Sequence, residues 1–116
     1  MRDSVRKKIW ARDNGICWHC GTTENLQIHH RINRGMGGSK LLDRGSNLIL
    51  LCAEYNFLIE ANLPKAREAR RLGIKVSRHS DVLYAPIRDA IGQWYLLDDF
   101  YKKHEVEYIN EPREDY

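Results

Sequence analysis

At 116 residues the chain makes one domain, or two small ones at most. With 42% hydrophobic and 30% charged residues it is neither a fibre nor a disordered tail, and no apolar run nears the ~20 residues of a membrane helix. The net charge of +3 conceals an asymmetry: residues 1–78 hold 15 Lys/Arg against 7 Asp/Glu, and residues 79–116 hold 4 against 9. A basic body with an acidic tail suits a polyanionic partner, although a solvated basic face is the plainer reading. The charged N-terminus has no apolar stretch behind it, so a signal peptide is not expected and a cytoplasmic location is. Three cysteines, two of them in Cys17-x-x-Cys20, indicate metal or redox chemistry rather than a disulfide framework.

In chain order, residues 2–14 read as a helix. Val5, Ile9 and Trp10 recur at near-helical spacing, Ser4 is the expected N-cap, and Asn14-Gly15 is the stop. Cys17-Trp18-His19-Cys20-Gly21 forms a tight turn. Residues 25–32 alternate apolar and polar and predict a short strand. The Gly/Ser-rich stretch 33–40 is a basic loop. Asn47 leads into a second strand, Leu48-Ile49-Leu50-Leu51-Cys52. From Ala53 a helix is predicted with Phe57, Leu58 and Ala61 on its apolar face, and Asn62 ends it. Pro64 opens a basic helix that Gly73 closes. Ile74-Lys75-Val76 is expected to be a strand, and residues 86–97 a hairpin about Ile91-Gly92. Residues 98–116 are expected to be loosely ordered. The tryptophans Trp10, Trp18 and Trp94 are expected in the core. The organisation predicted is α+β: a unit over residues 1–73, with an extension over 74–116 packed against it.

The chemistry lies in an ordered series: Cys17-x-x-Cys20, then His29-His30 on a strand, a Gly-rich loop, Asn47 before the second strand, Cys52 at its end and Asn56 on the first turn of a helix. Through the segments "IHHRINRGMGGS", "SNLILLC" and "NFLIEAN" the chain resembles HNH endonucleases, most closely in look the small ones of tailed phages. The resemblance covers residues 6–62, and more loosely continues to about 99. It implies a ββα-metal (His-Me finger) core and hydrolysis of phosphodiester bonds in DNA. His30 then matches the general base, and Asn47 matches the residue that organises the loop. His29 and Asn56 match ligands of a divalent ion, Mg²⁺ or Mn²⁺. Such chemistry needs a base to activate water and a cation to neutralise the phosphate and the leaving oxygen. Neighbours in an ideal strand face opposite ways, so His29 and His30 can share one phosphate only where the strand ends or bulges.

The resemblance also implies a structural zinc held by two Cys-x-x-Cys pairs. Here Cys17, Cys20 and Cys52 remain, and Tyr55 stands in the fourth place. A three-thiolate site completed by His19, another histidine or water stays open, as does the absence of zinc. Arg31, Arg34, Lys40 and Arg44 on the loop are the expected DNA-phosphate contacts. The partners implied are double-stranded DNA and a phage terminase, with a role in packaging or DNA mobility, for a monomer or homodimer with no membrane association. The alternatives are an HNH-fold module that binds DNA without cutting it, and a zinc-ribbon interaction protein.

Overall fold

Helix α1 spans Asp3–Arg12 in the computed structural model, which describes residues 1–33 and 40–107. The residue that caps it is Arg2, with no side-chain bond, so Ser4 lies inside the helix and not at its cap. Asn14 and Gly15, both at positive φ, end it. Trp10 is 42% exposed, whereas Trp18 and Trp94 are buried. The face of α1 toward the core is only Val5 and Ile9, too narrow to take in Trp10.

Strands β1 (Leu26–His30) and β2 (Leu48–Cys52) pair antiparallel, with His30 opposite Leu48 and Leu26 opposite Cys52. All five residues of β2 are buried because both of its faces are covered. Leu48 and Leu50 meet Ile9 of α1. Ile49 and Leu51 face the larger cluster, with Trp18, Tyr55, Ile59 and Ala69. Helix α2 (Ala53–Ala61) follows with no intervening loop. It buries Tyr55 and Ile59, and Phe57 is 69% exposed, so the predicted Phe57 face points the wrong way by about a third of a turn. Asn62 leaves helical φ/ψ and caps helix α3 (Leu63–Arg71), its side chain accepting from the Lys65 amide at 3.0 Å.

Gly73 then turns the chain at φ +77°, where a Cβ would come within 2.0 Å of the Pro86 carbonyl oxygen. Ile74–Val76 forms no strand. Ile74 is buried in the larger cluster, and the Val76 amide bonds the Arg31 carbonyl. The predicted hairpin is present as β3 (Ile87–Arg88) and β4 (Trp94–Leu97), but it gains a third antiparallel strand, β5 (Lys103–Glu105). Residues 98–107 are therefore ordered, contrary to expectation, and 108–116 lie outside the described residues. Ile74, Ile87, Tyr95 and Leu97 complete the core begun by β2 and α2, so one apolar cluster draws on both sides of Gly73.

Two buried arginines lace these parts together. Arg31 is 1% exposed, which corrects its assignment as a DNA contact. Its guanidinium donates to the carbonyls of Gly73 (2.9 Å), Ser46 (2.9 Å), Ala85 (2.6 Å) and, more weakly, Val82 (3.5 Å). Burial pulls its pKa down to about 9. Arg12 bonds Asp13 and the carbonyls of Gly45 and Leu48. Arg44, also expected on DNA, is bound to Asp99 (Nε–Oδ2 2.9 Å), while the other Asp99 oxygen accepts from the Ser46 amide at 3.0 Å and from its hydroxyl. Arg34 lies outside the described residues, and Lys40 enters only as the first position of a 3₁₀ turn.

Arg31→Met should lower stability by about 3–5 kcal/mol, the scale of leaving buried polar partners uncompensated, measured by urea unfolding. A loss under 1 kcal/mol would contradict the clamp. Burial alone would raise the Asp99 pKa, but the bonds from Arg44 and Ser46 outweigh it and hold it below its ordinary value. The stability this supplies is present above the unfolded-state pKa, near 4, and is lost as pH falls through the lower folded-state value. Asp99→Asn should therefore be less stable at pH 7 and show a shallower loss of stability below pH 4.

Candidate functional site

His29 sits on β1, 8% exposed, with Nε2 3.1 Å from the Ile74 carbonyl oxygen and Nδ1 3.1 Å from Asn56 Oδ1. The stretch Ile74–Val76, predicted as a strand, thus supplies a backbone acceptor to the site. Burial lowers the His29 pKa to about 4 and outweighs the opposing effect of both acceptors, so the ring is neutral at physiological pH. A carbonyl can only accept, so the one ring proton lies on Nε2 and Nδ1 carries a lone pair. The Asn56 amide is oriented by donation from Nδ2 to Gln27 Oε1 at 2.6 Å, which leaves its oxygen facing His29. Two lone-pair atoms thus face each other at 3.1 Å. Two ligands of one divalent ion, each at 2.0–2.2 Å and about 90° apart, stand about 3 Å from one another. The residues present fit a cation.

His30, next along β1, places Nε2 2.6 Å from Asp43 Oδ1. The carboxylate holds the ring proton on Nε2 and leaves Nδ1 as the basic nitrogen. Both histidines reach one cleft of about 160 Å³, also lined by Asn33, Asn56, Glu60 and Lys75. The shared cleft answers the strand-alternation difficulty: β1 ends at His30. Larger hollows exist, one of about 550 Å³ beside Lys8, Arg12 and Phe100, but that one brings no imidazole to its walls.

Asn47 stands behind the cleft, fully buried. Its Oδ1 accepts from the Ile32 amide at 2.7 Å, and its Nδ2 donates to the carbonyls of Ile32 (3.1 Å) and Leu42 (2.9 Å). One amide side chain thus ties the beginning of the loop after β1 to its end. Glu60 is more than half exposed and pairs with Lys75 at 3.3 Å, which keeps a cation at the cleft wall.

Two residues here had no signal in the sequence. Asp43 lies in a loop with no periodicity, thirteen positions after its histidine. Lys75 sits in a segment that reads as strand, and it reaches the cleft only because the chain folds back after Gly73.

The three cysteines converge at the other end of the hairpin. Their sulfurs all lie within 4.8 Å of one another, with Cys20 and Cys52 3.9 Å apart. They are the group among the described residues whose ligand atoms cluster this closely. Four thiolates around a tetrahedral ion at ~2.3 Å stand ~3.8 Å apart, so the cluster could hold a metal ion. Backbone amides already point at two sulfurs, from Cys52 to Cys17 (3.2 Å) and from Tyr55 to Cys52 (3.4 Å). Cys52 is also the N-cap of α2, where the helix end favours negative charge. Burial nonetheless pushes the Cys52 thiol up to about 11, a penalty that a cation would reverse.

Neither candidate for the fourth position faces the sulfurs. Tyr55 donates its hydroxyl to Glu68 at 2.8 Å, and His19, stacked on Tyr55 at 3.5 Å between ring centroids, places Nε2 3.1 Å from the same carboxylate oxygen.

No protein-family model matches the chain, and no curated protein or solved structure does either. Among the described residues no helix is long and apolar enough to cross a membrane.

Tyr55 is 2% exposed, so Tyr55→Cys should cost roughly 2–4 kcal/mol of packing without metal. With Zn²⁺ the sign should reverse, because four thiolates gain far more than that from the ion. Thermal melts with and without Zn²⁺ check this. A zinc-loaded variant that melts below the wild type would put position 55 out of reach of the sulfurs.

Proposed function

We propose that the chain is a metal-dependent endonuclease of the HNH type, hydrolysing phosphodiester bonds in DNA, with β1, β2 and α2 as its ββα-metal unit. The observation that carries this reading is the His29 Nδ1–Asn56 Oδ1 pair, two acceptors held 3.1 Å apart beside a second, carboxylate-bound imidazole. A divalent ion held by His29 and Asn56, Mg²⁺ or Mn²⁺, would polarise the phosphate and neutralise the departing 3′ oxygen.

The protein's own groups do the rest. His30 takes the proton from the attacking water at Nδ1. Asp43 fixes the tautomer that makes this possible and stabilises the imidazolium that forms. Asn47 keeps His30 in place by clamping the loop that begins two residues later. Lys75 offers its ammonium to a phosphate oxygen at the cleft wall. The Ile74 carbonyl holds His29 in the tautomer whose Nδ1 is free to act as a ligand, as outer groups do around metal-binding histidines. Cys17, Cys20 and Cys52 hold a structural zinc in this reading, and its fourth ligand comes from outside the set of cysteines.

Nicking of a supercoiled plasmid with Mg²⁺ or Mn²⁺, and its loss in chelator, is the direct test. His30→Ala should lower the rate by ~10²–10⁴-fold while duplex binding persists. His29→Ala and Asn56→Ala should weaken Mn²⁺ binding in calorimetry and raise the metal concentration needed for half-maximal cleavage, His29→Ala more severely. A wild-type chain that nicks with neither ion, or a His30→Ala variant that cuts normally, would sink the assignment.

A further inference from the structure

A nuclease must seat its duplex, and two of the loop cations named from sequence already have partners in the protein: Arg31 is buried on carbonyls and Arg44, half-buried, is bound to Asp99. The first ten residues carry four cations against one carboxylate. Arg2, Arg6 and Lys7 are exposed, and among the described residues none of the three has an acidic partner. Lys8, on the opposite flank, leans on the Tyr101 ring at 5.0 Å. Helical spacing sets Arg2, Arg6 and Trp10 along one ridge about 12 Å long, with Lys7 beside Trp10.

Trp10 is the exposed one of the three tryptophans, standing away from the Val5–Ile9 face that packs on Leu48 and Leu50. A flat apolar ring among exposed cations suits a sugar-phosphate surface, where charge meets phosphate and the ring meets deoxyribose. The ridge is also joined to the cleft. Arg2 and Val5 line a hollow of about 580 Å³ with Asp43, the residue that holds His30.

We propose that the exposed ridge Arg2–Arg6–Trp10, with Lys7 beside it, is the surface that seats duplex DNA, with Arg2 nearest the His30–Asp43 pair. The choice of DNA as occupant rests on the nuclease reading. The location rests on exposure, charge and the shared hollow. An acidic protein segment is the competing occupant.

The full chain is titrated onto a short fluorescent duplex without added Mg²⁺ or Mn²⁺, at several salt concentrations. Neutralising Arg2, Arg6 and Lys7 together to Gln should weaken binding by at least about tenfold near 0.1 M salt. It should also lower the log–log salt slope by about 2 to 3, since each lost phosphate contact removes ~0.9. Arg67→Gln with Arg78→Gln, exposed cations elsewhere, should change neither quantity. Duplex should also quench tryptophan emission in the wild type but not in Trp10→Phe.

The proposal is overturned if the triple variant, with wild-type helix content, binds as before, or if the Arg67/Arg78 variant carries the loss instead. It is equally overturned if duplex does not bind and an acidic polypeptide does. A chain that binds through this ridge but never cuts keeps the surface and loses the nuclease. A chain that cuts with the triple variant unimpaired does the reverse.

Discussion

The whole site hangs on the bend at Arg31 and Ile32, where the chain leaves the β1–β2 ladder one backbone bond past His30, Arg31 N–H to the Asn47 carbonyl, while still buried. Unpaired buried amides and carbonyls cost enough to undo such a turn. Two side chains satisfy them. Asn47 presents its amide to both polar groups of Ile32 and to Leu42, as a strand neighbour would, so the ladder is continued by a side chain where no strand remains. Arg31 turns inward and gathers carbonyls from Ser46, Gly73 and Ala85. A lysine could not replace it, having one compact ammonium where the planar fork reaches several acceptors at once. Because Arg31 binds Gly73 and Val76 binds Arg31, the same clamp sets the segment that brings the Ile74 carbonyl and Lys75 to the cleft.

The two histidines show how such a clamp creates chemistry from an ordinary strand. Adjacent residues of β1 have different surroundings. His29 goes into the protein and is kept neutral by burial, while His30 stays partly open and is paired with a carboxylate. A neutral, oriented imidazole suits a ligand, and one backed by a carboxylate suits a base. Their roles in the proposed reaction differ because their surroundings differ.

What could be read from the sequence divides along physical lines. The β1–β2–α2 order was legible because local signals agreed: alternation in 25–32, an apolar run at 48–52, and Asn62 as the stop of α2. The resemblance to HNH endonucleases singled out His29 and Asn56, whose facing atoms lie 3.1 Å apart in the fold. The failures came where tertiary context decides. Arg31 looks like a solvent cation in any window, since nothing local shows that several carbonyls will converge on it. Arg44 is engaged by Asp99, fifty-five residues away, in a segment whose polar composition reads as disorder. Tyr55 and Phe57 lie on opposite faces of α2, and the Tyr55 face turns inward, where Glu68 and His19 give its hydroxyl and ring a place. Asp43 and Lys75 act through contacts across the chain, to which periodicity is blind.

Helix α2 couples the two clusters of donors. Cys52 caps it, and Asn56 lies one turn further on. Anything that fixes Cys52 therefore fixes the start of the helix and, through it, the Asn56 oxygen that faces His29. With three sulfurs gathered and the Cys52 thiol bearing the cost of burial, this first turn is held by two N–H···S bonds and by the Tyr55–Glu68 contact to α3. A cation among the sulfurs would replace thiol burial with ionic bonding and stiffen that turn without touching the cleft. Tyr55 turns its hydroxyl to Glu68, away from the sulfurs, so it ties α2 to α3 while its ring packs against His19. The arrangement makes the geometry of the cleft depend on the sulfur cluster at the other end of the hairpin. The sulfur cluster and the cleft-lining amide of Asn56 are linked by a single turn of helix.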